Sequence, residues 1–214
     1  MILFSQEIYK LINCALTELS TSQASGRTQS NQLSEAHYIG AWITMAIKKK
    51  RFDSIVLETL KGWQKQARSL NKNAGLKEKF IALKKCYQQI LDKDNQVQPV
   101  SVDKFTTLYA QLTEQQWMVT TDLVIGDRLN RPSDGLSSLI VCAEQMQSCF
   151  AQGILIKPLT LYIRGDFQEL VELAFQQGLL LYKKTANKSK VKYHGEFIVY
   201  PNNDGATLPM LPNK

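Results

Sequence analysis

The sequence predicts an α+β protein, with an N-terminal helical bundle followed by a small mixed α+β domain that ends in a β-hairpin. Three observations lead to this prediction. Apolar residues recur at helical spacing in the first half, strand-like alternation and turn residues replace that spacing after about residue 115, and polar linkers separate the segments. With 214 residues, 44% of them apolar, the chain can bury a core without a disulfide or a structural metal ion.

Five segments of the first half have the apolar spacing of amphipathic helices. In the first segment Leu11, Ala15 and Leu19 repeat every fourth residue, and Ser34 is the predicted N-cap of the second. Between these two helices, residues 20–32 are rich in Ser and Gln and are expected to form a mobile connector. The other three helices are predicted over about residues 54–70, 76–91 and 102–112.

The second half follows a proline-containing linker and predicts strand, strand, helix, strand, helix, strand, strand. This order indicates a sheet with two helices on one side. We therefore predict a helical bundle over residues 1–97 and an α+β domain over residues 98–214. The predicted elements of the second half are strands over about 117–125, 138–142 and 159–163, helices over about 143–152 and 166–177, and hairpin strands over 179–185 and 191–200.

Alternation along the last strand predicts which of its side chains are buried. Tyr193 falls on the apolar face with the other odd-numbered residues, whereas His194 and Glu196 fall on the polar face with Lys190 and Lys192. The C-terminal tail beyond this strand contains three prolines and is expected to fray.

Composition and motifs indicate the cellular location of the protein and whether it binds a cofactor. The N-terminus lacks a basic segment followed by a long apolar one, and no run of about 18 apolar residues occurs. The four cysteines are scattered without a CxxC pair, so we expect buried free thiols, and the three tryptophans fall on apolar phases typical of a core. We therefore expect a cytoplasmic protein with no membrane partner. No cofactor is expected, because no Walker A, GxGxxG or GxSxG motif occurs.

The net charge of +7 is unevenly distributed along the chain. Residues 48–93 contain thirteen basic and four acidic side chains, and residues 183–214 contain six and two, whereas residues 94–182 contain five and ten. A basic helical pair and a basic hairpin thus flank an acidic middle segment. Clusters of positive charge favour polyanions as partners, because each phosphate that they neutralise releases counterions.

The basic residues of the third helix define a candidate anion-binding surface, which we call the helical ridge. Lys61, Lys65, Arg68 and Lys72 follow the spacing i, i+4, i+7, i+11 and are predicted to form one line. The alternative is that such charges serve solubility, complement a helix macrodipole or contact the acidic middle segment. The hairpin lysines would form a second clamp on the same polyanion: Lys183, Lys184, Lys188, Lys190 and Lys192.

Few residues have the spacing of a catalytic or metal site. His194 and Glu196 are two residues apart on one predicted strand face, where they could share a metal ion or act as acid and base. Asp122, Asp127 and Asp134 could form the magnesium cluster of a nuclease, or they simply suit a turn-rich segment. Because neither group has further ligands at helpful spacing, we predict no catalytic, metal or cofactor-binding residue.

Five segments carry a resemblance to a known family: QEIYKL, RFDSIVLETLKGWQKQAR, SDGLSSLIVC, KPLTLYIRGDF and SKVKYHGEFIVYP. They resemble gammaproteobacterial proteins known only as a domain of unknown function, uncharacterised family 2913. The resemblance spans nearly the whole chain and implies a bacterial, cytoplasmic setting. It transfers no site residue, because the family has no established activity.

Three functional hypotheses follow from these observations. The first is a non-enzymatic protein that binds DNA or RNA through the phosphate backbone, using the helical ridge and the hairpin lysines. The second is a protein-interaction or adaptor module, whose acidic and basic surfaces pair between subunits or with an acidic protein partner. The third is an unrecognised enzyme or nuclease centred on His194 and Glu196.

Overall fold

In the computed structural model, which describes residues 2–133, 135–185 and 189–212, the chain forms a helical unit, Met1–Gln96, and an α+β unit, Val97–Lys214. The predicted α+β class is confirmed. Within the described ranges, every helix is too short or too polar to cross a membrane.

Amphipathic helices build the helical unit, and short 3-10 turns at Ser54–Val56 and Asn71–Ala74 flank the third of them. Each helix buries one apolar stripe, which is why the 3.6-residue period predicted it. In the core, the rings of Trp63 and Phe80 lie 4.6 Å apart. The helices described in this unit are α1 Phe4–Ala24, α2 Gln32–Lys48, α3 Leu57–Leu70 and α4 Leu76–Ile90.

Two predictions at the junction of α1 and α2 are wrong. The expected connector over residues 20–32 is helical in its first part, because α1 continues as far as Ala24, and Gln23 in this part donates to the buried carboxylate of Glu35 at 2.7 Å. Gly26, with a φ of +71°, then ends the helix in the common glycine-terminated manner. Ser34 is not the N-cap of α2, since its amide donates to the side chain of the actual cap, Asn31, at 2.9 Å.

A five-stranded sheet and the helices packed on it form the α+β unit. The sheet strands are β1 Met118–Leu123, β2 Ser138–Cys142, β5 Leu159–Arg164, β6 Tyr182–Thr185 and β7 Gly195–Val199. The other elements are α5 Val102–Glu114, α6 Ala143–Ser148, β3 Phe150–Ala151, β4 Ile154–Leu155 and α7 Phe167–Gln176.

The strand order in the sheet is β1-β2-β5-β7-β6. β1 and β2 are parallel, and the other neighbouring strands are antiparallel, so β6 and β7 form the predicted hairpin. Strands β3 and β4 form a separate two-stranded sheet, which replaces the end of the helix predicted over residues 143–152. A strand of two residues is too short to produce an alternating pattern, so the sequence did not indicate this small sheet.

Different elements pack on the two faces of the large sheet. Helix α5 joins α7 on one face, where both enclose the main core with strand residues such as Leu161 and Phe197. The opposite face has a smaller apolar cluster that includes Ile140 and Tyr162. The β1–β2 connection lies against this second cluster, and its Leu129 forms an isolated bridge with Val191. The second face also bears the polar residues described below.

The C-terminal tail is anchored, and the prediction that it frays is wrong. Asn203 is 1% exposed, and its side chain donates to the Gly178 carbonyl at 2.9 Å and accepts from the Leu180 amide at 2.8 Å. Further along, the Met210 amide donates to the Leu181 carbonyl at 2.8 Å. Proline content does not report whether a tail finds hydrogen-bond partners, which only the folded chain decides.

The predicted environments of the tryptophans are confirmed, since all three are buried. The four cysteines are free thiols, as predicted, and three of them are buried. Cys14 differs from the prediction because it is partly exposed on α1.

Candidate functional site

The helical ridge begins on the exposed side of α3. Lys61, Lys65 and Arg68 are exposed there, while Leu60 and Trp63 of the same helix are buried. Lys61 pairs with Glu58 at 2.8 Å. Lys65 and Arg68, by contrast, have no acidic partner in the described part of the chain, so their charges are available to a ligand.

The predicted line of four cations is wrong at its end. Helix α3 stops at Leu70, where Asn71 adopts a φ of +48°, and Lys72 therefore lies on the following 3-10 turn. The i, i+11 relation holds only within a continuous helix, and this break removes it.

Other basic residues of the helical unit are used within the fold. Arg51 binds the Glu18 carboxylate at 2.5 Å, and this hydrogen bond lowers the pKa of Glu18. Lys77 binds the buried carboxylate of Glu35 at 2.6 Å. These cations neutralise acidic groups of the same unit and are poor candidates for ligand contacts.

The hairpin lysines do not form one surface. Lys183 lies on the helix-covered face of the sheet, with its Nζ 5.3 Å from the centroid of the Phe167 ring. Lys184 lies on the other face, where it pairs with Glu196 at 3.1 Å. The remaining members of the predicted clamp are Lys188, which lies outside the described residues, and Lys190 and Lys192, which precede β7.

The predicted exposure of His194 and Glu196 is wrong, because their side chains are buried, at 0% and 6% exposed. His194 Nε2 lies 2.8 Å from Ser138 Oγ, and its Nδ1 lies 2.8 Å from the Lys192 carbonyl oxygen. A neutral imidazole satisfies both contacts by donating from Nδ1 and accepting the hydroxyl hydrogen at Nε2. Burial lowers the pKa of His194, which favours this neutral form, and the nearby Arg164 also lowers it, against the opposing effect of the Lys192 carbonyl.

The candidate metal residues are not brought together. His194 and Glu196 have separate partners, and Asp122 and Asp127 are exposed, while Asp134 lies outside the described residues. Across the described ranges, no group of three or more His, Cys, Asp and Glu side chains is arranged to hold a metal ion.

Two cations lie beside the exposed ring of Tyr193. Lys192 Nζ lies 4.6 Å and Arg164 Cζ 5.8 Å from the ring centroid. A hydrogen bond with Lys192 lowers the pKa of Tyr193, and the positive charges of Lys192, Arg164 and Arg128 lower it as well. None of the three cations has an acidic partner among the residues that the structure describes. We call Arg128, Arg164, Lys192 and Tyr193 the Tyr193 cluster.

The predicted burial of Tyr193 is wrong for a backbone reason. Its φ is +66°, in a turn closed by a hydrogen bond from the His194 amide to the Val191 carbonyl at 3.2 Å. Strand β7 starts only at Gly195, so the alternation assumed from Val191 onward does not apply. The turn leaves Tyr193 68% exposed and buries its neighbour His194.

Three separate segments support the Tyr193 cluster. Arg164 ends β5 and is paired in register with Ser138 of β2. The segment with Arg128 is held by two main-chain bonds of 2.8 Å, from the Leu129 amide to the Lys190 carbonyl and from the Lys192 amide to the Leu129 carbonyl. The cluster is therefore built on paired backbone.

Comparison with known proteins now places the chain in a family. A family model described as "Protein of unknown function (DUF2913)" matches residues 3–212. The chain belongs to this family. The match confirms the expected resemblance to a domain of unknown function over nearly the whole sequence. No curated protein and no solved structure matches this DUF2913 chain.

Because the family description states no activity, the candidate site of this DUF2913 protein depends on its own geometry. Of the Tyr193 cluster, only Lys192 was among the contacts predicted from the sequence. A glycine directly after Arg164 and the KY pair at the turn were the available signals, but neither has a recognisable spacing. The segments converge only through the pairing of β2 with β5 and of β5 with β7.

Proposed function

We propose that this DUF2913 protein is a non-enzymatic, cytoplasmic protein that binds DNA or RNA through the phosphate backbone. The observation that supports the proposal is the Tyr193 cluster, in which Lys192 and Arg164 lie beside an exposed aromatic ring and have no acidic partner among the described residues. Cations of this kind gain free energy from phosphates, because phosphate binding releases the counterions of the nucleic acid. Arg128 and Arg164 can also each make two parallel hydrogen bonds to one phosphate.

The helical ridge offers a second phosphate contact in the other unit. Lys65 and Arg68 are exposed and lack acidic partners within the described residues, whereas Lys61 shares its charge with Glu58. Contacts of both kinds go to the backbone and do not read base identity. The protein is therefore expected to bind unrelated sequences with similar affinity.

Fluorescence anisotropy with labelled oligonucleotides at several salt concentrations tests the proposal. We expect the variant Arg164→Ala/Lys192→Ala to bind more weakly and to have a shallower salt dependence. Each lost phosphate contact reduces the slope of log K against log salt by about 0.7–0.9, so two contacts correspond to about 1.4–1.8. An unchanged slope would contradict the assignment of phosphate contacts to these two residues.

A matched control variant is available near the other end of β5. Lys157 is exposed just before β5, whereas Arg164 ends that strand, so the two are separated by roughly 20 Å of extended chain. Lys157→Ala removes one positive charge at a distance from the Tyr193 cluster. It should change the affinity much less than Lys192→Ala does, and equal effects would indicate a response to net charge alone.

A protein-interaction function is the second candidate, favoured by a groove of about 460 Å³ in the helical unit. Apolar side chains line it, including Ile47, Phe52 and Leu57, and the charged residues of the lining are Lys50, Lys61 and Asp53. This combination suits an acidic protein partner that inserts an apolar side chain. Salt-sensitive self-association or binding of an acidic peptide, with no affinity for nucleic acid at low salt, would favour this function over the first.

A further inference from the structure

We infer that the Tyr193 cluster selects single-stranded over double-stranded nucleic acid, by stacking the Tyr193 ring on an unpaired base. The inference rests on the proposed function and adds the class of ligand. A base can stack on an aromatic side chain only if its face is free, which is the case in a single strand and not inside a duplex.

The position of Tyr193 is hard to explain by stability. A φ of +66° suits glycine and is unfavourable for a residue with a Cβ atom. A large side chain can compensate for such a backbone by burying apolar surface, but the ring of Tyr193 is 68% exposed. A glycine would fit this turn with less strain. The turn nevertheless bears an aromatic ring that contributes little to the core.

The cations beside the ring do not prevent a base from stacking on it. Lys192 and Arg164 lie 4.6 and 5.8 Å from the ring centroid, yet most of the Tyr193 surface remains open. At an exposed site the attraction between a cation and a ring is weaker than the stacking of a base on that ring. A base can thus displace a cation from the ring, and the cation can move to the adjacent phosphate.

The backbone that presents Tyr193 is held by hydrogen bonds on both sides of this residue. His194, the next residue, is fully buried and bonded to Ser138 Oγ and to the Lys192 carbonyl oxygen, each at 2.8 Å. The Lys192 amide is bonded in turn to the Leu129 carbonyl at 2.8 Å. Because the chain itself supplies these contacts, stacking does not require the turn to fold on binding, which lowers its entropic cost.

A duplex can contact the cations of this cluster but cannot stack a base on the Tyr193 ring. Its phosphates attract Arg128, Arg164 and Lys192, but its bases are paired and stacked on one another. Reading a duplex needs an element that enters a groove, usually a helix or a two-stranded ribbon, and a single ring on a short turn is neither. Electrostatic attraction is therefore common to both forms, and stacking favours the single strand.

The test measures the affinities of a labelled single-stranded 20-mer and of the matching duplex, as DNA and as RNA, by anisotropy at one salt concentration. The wild-type protein should bind the single strand more tightly. Tyr193→Ala should weaken single-strand binding by about 5- to 150-fold, the range that corresponds to about 1–3 kcal/mol of stacking free energy. Its duplex affinity should change by less than about twofold, since phosphate contacts remain.

Two further variants separate stacking from loss of structure. Tyr193→Phe retains the ring and should bind like the wild type, whereas Tyr193→Gly removes the ring at a φ that glycine adopts readily and should bind like Tyr193→Ala. An equal loss for single strand and duplex, no loss for either, or a wild-type preference for duplex would overturn the inference.

The failure of the inference and that of the proposed function are distinguishable. If Arg164→Ala/Lys192→Ala weakens both ligands but Tyr193→Ala weakens neither, the cluster binds phosphates without stacking, and only the inference fails. If the double variant also leaves both affinities unchanged, the proposed function of the cluster fails as well.

Discussion

Replacing Gly165 with alanine should destabilise the α+β unit, because this glycine joins β5 to α7 at a point of close backbone approach. Its φ is +123°, a conformation that residues with a Cβ atom rarely adopt. A Cβ atom built there would lie 2.6 Å from Ser137 Cβ and 3.0 Å from Ser137 Cα. Because one of these atoms is main chain, no side-chain rotation can relieve the overlap.

The expected loss of stability is the sum of backbone strain and overpacking. Left-handed backbone strain is worth about 1–2 kcal/mol and overpacking about 1–3 kcal/mol, so the free energy of unfolding should fall by about 2–5 kcal/mol. Urea denaturation followed by circular dichroism measures this change as a lower midpoint at an unchanged slope. Because Arg164 directly precedes Gly165, nucleic-acid binding should weaken in the same variant.

The matched control is Gly126→Ala in the same unit. An added Cβ at Gly126 meets no atom within 4 Å, and its φ lies outside the positive range. This variant should stay within about 0.5 kcal/mol of the wild type, or gain slightly from a less flexible unfolded chain. Equal urea midpoints for the two variants would refute the reasoning about Gly165.

Two further predictions concern the buried histidine and the helical ridge. Burial lowers the pKa of His194 in the folded state below its value in the unfolded chain, which is near 6.5. The neutral imidazole therefore contributes to folding stability above that pH, and this contribution is lost as the pH falls through the folded pKa. The urea midpoint should therefore fall between about pH 7 and pH 5 in the wild type and vary less in His194→Gln; parallel pH profiles would contradict this assignment. Reversing Lys65 and Arg68 to Glu should weaken binding to unrelated oligonucleotides alike and flatten its salt dependence, whereas Lys93→Glu, at an exposed site after α4, should have a smaller effect. Unchanged binding in the ridge variant would remove the ridge from the interface.

The periodicity of the sequence was a reliable guide where one element buries one face. Helix α4 was predicted over residues 76–91 and lies at Leu76–Ile90, and the strand predicted over residues 138–142 is β2. The pattern failed where the backbone departs from regular geometry. Asn71 ends the helical ridge with a positive φ, and Tyr193 reverses the expected burial before β7 in the same way.

Local composition also failed to predict the structure of two polar segments. The Ser and Gln residues at the end of α1 predict a connector, yet they continue the helix, where Gln23 donates to Glu35. Likewise Asn203 holds a tail that was expected to fray, through hydrogen bonds to residues of the chain before β6. Such partners are distant in sequence, so no local window contains them.

Patterns along the chain were sufficient to predict the α+β class, the order of most elements and the uneven distribution of charge, because these depend on residues that are neighbours in sequence. The tertiary structure decided which charges are free. It neutralised Arg51, Lys77 and Lys184 with carboxylates from other elements and brought Arg164 to Tyr193. Charge pairing depends on separations of a few ångströms in space, and only the pairing of the strands and the packing of the helices set those separations.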